Sequence, residues 1–385
     1  MLLIKNGKIF TMTGKNLHNG CVLIKDKKII EINETIEETK LMTVIDAKGA
    51  WVMPGIIEAH CHIGLSEEGI RFEGDDINES TSPITGHLRA IDAINPLDQA
   101  FKDAIAGGIT SVMTGQGSAN VCGGKFLFMK TSGKCIDDMI VKDEAAMKVA
   151  FGENPKRVYS SKQTTPSTRM ATAAILREAL YKAINYKNKK EEALQKGDYF
   201  EVDLKQECFM DVLDKKIPLK AHAHRADDIL TAVRLAKEFN LDMTLDHCTE
   251  GHLIPEYIKK SGFSAIVGPS LTNRSKVELK NRTFKTAGVL NKYGVDVAIT
   301  TDHPVVPIQY LPICAGFAAK EGLGIEEALK AITINPAKIC GVEDMVGSIE
   351  VGKDADIAIF TGNPMEVFSE TLYTIIDGNI VYSKE

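Results

Sequence analysis

Pro54-Gly55-Ile56-Ile57-Glu58-Ala59-His60-Cys61-His62 is a short apolar run that ends in two histidines one residue apart. On a β-strand, side chains at i and i+2 share a face. His60 and His62 therefore project together, and Cys61 faces the opposite side. Two imidazoles at the carboxyl end of a buried strand suit one divalent cation. A lone His-x-His is also at home as two hydrogen-bonded core histidines, so its meaning depends on the rest of the chain.

Outward from that stretch, apolar runs alternate with helical segments from residue 54 to about residue 340. The runs cover residues 109–114, 126–130, 147–153, 217–222, 241–247, 264–268 and 295–302. Counting the first stretch, about eight strands result. Between them Ile229, Val233 and Ala236 recur at helical spacing, and Phe317, Leu323, Ala328 and Leu329 do so more loosely. Strand and helix in alternation over such a length predict an α/β fold, a (β/α)8 TIM barrel. An open doubly wound sheet is the weaker reading, because no Gly-x-Gly-x-x-Gly follows a first strand. Residues 160–215 read as a long helical insert starting near Thr168-Arg169. Its charge run, Lys187 to Glu192, reads as a solvated turn or helix end.

Both chain ends are rich in short β-prone runs. Asn6-Gly7, Asp26-Lys27 and Asp377-Gly378 each sit between such runs and read as hairpin turns. Neither end has enough apolar residues for a sheet core of its own. Residues 1–53 and 341–385 are therefore expected to pair into one small β-sandwich beside a barrel of residues 54–340.

Composition narrows the function classes. The chain has 385 residues and a net charge of −6, which argues against nucleic acid or an anionic membrane surface as a partner. No stretch approaches the roughly 20 apolar residues that span a bilayer, and the apolar run at Met1 is too short for a signal peptide. Eight scattered cysteines without C-x-x-C spacing read as reduced thiols and a cytoplasmic setting. A small-molecule substrate fits this balance, and a homo-oligomer is compatible with it.

The strand ends carry the chemistry. One later run ends in Lys220-Ala221-His222-Ala223-His224, another in Asp246-His247, and the last in Thr301-Asp302-His303. Of nine histidines in the chain, six lie at these ends and at His60/His62. Barrel enzymes build their active sites at the carboxyl ends of the strands. This concentration therefore reads as a metal site and not as scattered structural histidines.

His-x-His after Pro-Gly, single histidines on two middle strands and Thr-Asp on the last strand together resemble the metal-dependent amidohydrolase superfamily. The closing stretch Gly347-Ser348-Ile349-Glu350-Val351-Gly352-Lys353-Asp354-Ala355-Asp356 resembles part of that superfamily's small β domain. Within it the chain looks most similar to the imidazolonepropionase-related branch. The resemblance implies hydrolysis of a C–N bond other than a peptide bond, with one or two Zn2+ ions; Fe, Mn or Ni are compatible alternatives. It implies His60, His62, His222, His247 and Asp302 as ligands. It also implies a bridging carboxylate from the third or fourth strand, for which Glu153 is the first candidate and a carboxylated Lys130 the second. Asp302 would be the general base and then the general acid. His224 shares the face of His222 and is expected as a catalytic or substrate contact beside the ligands.

Substrate signals are sparser. Imidazolonepropionases and aminohydrolases of this fold usually carry Glu three residues after the mid-barrel histidine, where this chain has Arg225. That departure favours an amide, cyclic amide or dipeptide-like bond over deamination of an amino-heterocycle or opening of an imidazolone ring. Arg157, Tyr159, Arg169 and Arg225 are candidate substrate contacts, the arginines suiting a carboxylate. The Gly-rich loop 115–124 lacks the Gly-Lys-Ser/Thr ending of a phosphate cradle.

Overall fold

The structure is a computed structural model, and it describes residues 1–69 and 71–384. Eight strands form the central sheet: β6 (Ile56–Cys61), β7 (Ile109–Thr114), β8 (Cys122–Lys130), β9 (Ile140–Ala150), β10 (Leu219–Ala223), β11 (Met243–His247), β12 (Ser264–Val267) and β13 (Val297–Ile299). They lie in sequence order. The two edges meet through Thr300 Oγ1, which donates to the His60 carbonyl at 2.6 Å, and through His62 N, which donates to the His303 carbonyl at 2.9 Å. The sheet is thus a nearly closed barrel, as the strand–helix alternation predicts.

One strand departs from that expectation. β8 runs antiparallel to both β7 and β9. The connection of residues 115–121 is too short for a crossover, which takes a dozen or more residues between parallel strands. The chain therefore turns straight back on itself. This reversal carries the end of β8, Lys130, to the end of the barrel opposite the carboxyl ends of the other strands.

A second sheet is built from both chain ends: β1 (Leu2–Ile9), β2 (Leu17–Lys25), β3 (Lys28–Asn33), β4 (Thr43–Asp46), β5 (Trp51–Pro54), β14 (Ile357–Phe360), β15 (Thr371–Ile376) and β16 (Asn379–Ser383). β5 pairs with β1 on one side and β14 on the other, which joins the two ends of the chain. Leu2, Ile4, Ile9, Val22, Ile24, Val52, Ile357, Ile359 and Ile375 form its core. Asp26-Lys27 and Asp377-Gly378 are two-residue turns, with Asp26, Asp377 and Gly378 left-handed. Asn6-Gly7 is not a turn. β1 runs through it with a register shift, and a Cβ on Gly7 would meet Val52 Cγ2 at 2.5 Å. The glycine serves close packing here, not chain reversal.

The two sheets are tied at Pro54-Gly55. Gly55 N donates to the Asp356 carbonyl at 2.9 Å, and a Cβ at Gly55 would lie 2.1 Å from Thr110 Oγ1. Only glycine lets the second strand of the barrel approach this closely. The insert contains a helix, Arg169–Lys196, capped by Thr168 and ended by left-handed Gly197. Lys187 to Glu192 lies inside this helix rather than at its end. Lys187 and Lys190 pair there with Asp214 and Glu207, so the charge run faces partners across the surface. Among the described residues no helix is long and apolar enough to cross a membrane.

Candidate metal centre

Alternation along β6 turns Glu58, His60 and His62 to one face, and all three are buried. Lys220, His222 and His224 share a face of β10, and His222 is level with Asp246 on β11. Asp246 and His247 are consecutive, so a regular strand would send them to opposite faces. His247 and Cys248 instead take left-handed backbone, with φ of 71° and 47°. That break at the strand end lets His247 join the histidines. Asp302 is left-handed as well, with φ of 52°. Non-glycine residues held in this region mark functional sites more often than ordinary turns.

Two groups of donors result: His60, His62 and Asp302, and His222, His224 and His247, with the ligand atoms of each group within 4.8 Å of one another. Asp302 Oδ1 lies 3.4 Å from His60 Nε2 and 3.2 Å from His62 Nε2, while Oδ2 lies 3.9 Å from His247 Nδ1. Asp302 therefore links the two groups.

The outer partners fix which nitrogens are free. His62 Nδ1 donates to the Gly115 carbonyl at 2.6 Å and His247 Nδ1 to the Gly268 carbonyl at 2.8 Å. A carbonyl only accepts, so both rings carry hydrogen on Nδ1, which leaves Nε2 as the atom each would turn to a metal. His60 Nδ1 lies 2.7 Å from Asp246 Oδ2, a close contact without hydrogen-bond alignment. Asp246 is held in turn by Lys220 at 3.1 Å. Such carboxylate–histidine pairs orient imidazoles for a metal. His60 Nε2 and His62 Nε2 then face Asp302 Oδ1, and buried His222 Nδ1 has no hydrogen-bond partner. Imidazole nitrogens and a carboxylate gathered in one largely buried cluster fit a divalent cation.

Electrostatics agree. Burial holds His60, His222 and His247 below the usual histidine range and pushes His224 down to about 3. All four are thus neutral at pH 7. Burial also pushes the Asp302 carboxyl up, but His247, His60 and His62 outweigh it and hold it well below the usual carboxylate range. A histidine with a depressed folded-state pKa takes up its proton on unfolding. Its contribution to stability is complete above about pH 6.5 and is lost as pH falls toward the folded value, about 3 for His224. Chelator-treated protein is therefore expected to lose stability steadily as pH falls below about 6.5. Urea unfolding in steps of pH checks this, and a flat profile down to about pH 4.5 contradicts neutral burial.

The bridge candidates fare differently from expectation. Lys130 is at the wrong end of the barrel because β8 is reversed; it is paired with Asp356 at 2.7 Å and Asp354 at 3.3 Å. Glu153 opens a helix and exchanges backbone hydrogen bonds with Glu278. It belongs to neither donor group. The lysine that does reach the histidines is Lys148 on β9, fully buried, with Nζ 3.2 Å from His60 Nε2. Its signal was visible: a lysine amid Met147, Val149 and Ala150 has no apolar reason to be there. Burial lowers its pKa to about 8, and its charge acts on both His60 and His222.

Among the expected substrate contacts, Arg169 is ion-paired with Asp228 and Arg225 with Asp227, each at 2.9 Å. Arg169 uses its Nε in this pair, and Arg225 its Nε and one terminal nitrogen. Tyr159 is buried and donates to Asn120 Oδ1 at 2.6 Å, and Arg157 is exposed on the helix that Glu153 begins. His303 belongs to neither donor group.

A barrel with neutral histidines and an aspartate at the carboxyl ends of its strands defines a metal-dependent hydrolase. The profile of the amidohydrolase family matches residues 51–381, and the chain belongs to that family. It is a hydrolase acting on carbon–nitrogen bonds. A crystal structure of an amidohydrolase from Thermotoga maritima superposes with a TM-score of 0.97, at 44% identity and over 100% of both chains. The amidohydrolase tasK of Hapsidospora irregularis is 27% identical over 93% of this chain; the match spans 39% of tasK. An imidazolonepropionase of Picrophilus torridus is 26% identical over 93% of this chain and 91% of its own length.

Proposed function

We propose that this chain is a two-metal hydrolase of an amide or dipeptide-like bond, with Lys148, carboxylated on Nζ, joining the two ions. The supporting observation is the Lys148 amine, buried 3.2 Å from the metal-facing nitrogen of His60. A pKa near 8 leaves part of the amine neutral at physiological pH, and only the neutral amine adds to CO2. Addition forms an N–C bond and releases one proton, leaving a carbamate. His60, His62 and Asp302 would hold one ion, and His222 and His247 the other. Zinc suits this donor set.

A divalent metal bound there supplies Lewis acidity and lowers the pKa of a water from about 15.7 toward about 7. The chain's own residues do the rest. Asp302 accepts a proton from the attacking water, then donates it to the departing nitrogen. The buried pair Asp246–Lys220 keeps His60 in place while charge rearranges. His224, neutral and beside His222, faces the substrate.

The test is metal content together with a substrate panel. Protein expressed with zinc is expected to hold about two ions per chain and to release an amine and a carboxylate from dipeptides or cyclic amides. Ammonia released from amino-heterocycles alone, with none of these amides cleaved, would replace this reading with deamination.

A further inference from the structure

Beside the His222–His224 edge of the centre stands a carboxylate that the chemistry above does not use. Glu278 follows β12, and its side chain is 1% exposed. Oε2 accepts from Glu153 N at 3.0 Å, and Glu278 N donates back to Glu153 Oε2 at 3.3 Å. This reciprocal pair fixes the carboxylate. Oε1 is buried and has no hydrogen-bond partner. His224 Nε2 and Lys276 Nζ stand 3.7 Å from it and His222 Nε2 3.9 Å, all beyond hydrogen-bond distance. A buried carboxylate oxygen without a donor is costly, more so than a neutral acceptor.

The geometry points to a ligand that brings the missing donor: we propose that Glu278, with His224 beside it, receives a primary ammonium group of the substrate, next to the scissile carbonyl. The proposal rests on the amide-hydrolase reading and narrows it to substrates with a free α-amino group. An ammonium supplies both a positive charge for Glu278 and spare N–H groups for the neighbouring imidazoles. A neutral amide N–H would leave the carboxylate uncompensated, and an anionic group would be repelled. Lys276 provides the counter-charge until then. It is partly exposed and already hydrogen-bonded to Asn154 Oδ1 at 2.9 Å, so it can yield its place without losing that partner.

The test compares zinc-loaded wild type with Glu278→Gln, which keeps the volume and the acceptor for Glu153 N. The substrates are L-alanyl-L-leucine and its N-acetyl derivative. The wild type is expected to prefer the free amine, and E278Q to reduce that preference about 10- to 100-fold, mainly through KM. Calorimetry with L-alaninamide provides a readout independent of turnover: binding is expected in the wild type and loss of binding in E278Q. Equal binding in both proteins, or none in either, overturns the subsite, as does equal turnover of the two dipeptides. Zinc lost from E278Q would make Glu278 a ligand and overturn it too. Cleavage of the N-acetyl form alone would leave amide hydrolysis standing without the subsite. Absence of both cleavage and zinc would remove the hydrolase reading itself.

Discussion

Replacing Lys148 with methionine is expected to lower kcat/KM by about 1,000-fold or more and to leave about one tightly held metal ion per chain instead of two. Methionine matches the length of the buried stem but has no amine to carboxylate. The Lys148 Nζ lies 5.3 Å from the centre of the Phe126 ring, a surface a thioether also packs against well. The fold should therefore survive, and removing a buried cation also removes a desolvation cost. What disappears is the anion between the two donor groups. Without that anion the His222–His247 side keeps only neutral nitrogens to hold an ion. A metal is worth several kcal/mol in transition-state stabilisation, and each 1.36 kcal/mol is tenfold in rate. Metal analysis and steady-state kinetics check the two halves separately. 13C-bicarbonate should label the wild type with a carbamate signal that the variant lacks. Two retained ions with activity within about tenfold of wild type would remove Lys148 from the bridge.

The difficulty in reading Lys148 from sequence was one of topology. The strand, the apolar run and the lysine were all visible, as were the clustered histidines, because strand alternation acts over neighbouring residues. Choosing between Lys130, Lys148 and Glu153 needs the direction of β8, which depends on a loop too short to cross over. With β8 parallel, Lys130 would stand at the catalytic end; reversed, it is buried against Asp356 and ties barrel to small sheet. Asn6-Gly7 failed for a related reason. The dipeptide permits a tight turn but does not require one, and packing against Val52 used the glycine differently. Glu278 was not legible at all. It sits between Val277 and Leu279 in a stretch with no recognisable motif, and its importance comes from Glu153 and His224, which lie far from it in the chain.

Asp302→Asn is expected to lower turnover by about 1,000-fold or more while most of the metal stays bound. The substitution is a clean one for a local reason. Asp302 sits at φ of 52°, a region that asparagine tolerates nearly as well as aspartate. Its N–H donates to Thr300 Oγ1 at 2.9 Å, and Thr300 in turn donates to the His60 carbonyl. Both bonds are indifferent to the side-chain charge, so the turn and the β6–β13 closure should persist. An amide oxygen can still face His60 and His62, and the remaining ligands keep the ions in place. The amide cannot take a proton from water, however, and a positioned base contributes about 100- to 10,000-fold. The wild-type carboxyl is held low by His247, His60 and His62, against the upward push of burial. It is therefore already ionised at neutral pH and ready to accept. Metal content and kcat should be measured on the same preparation. Loss of activity in proportion to loss of metal would make Asp302 a ligand only, and near-normal kcat with full metal would assign the proton transfer to another group.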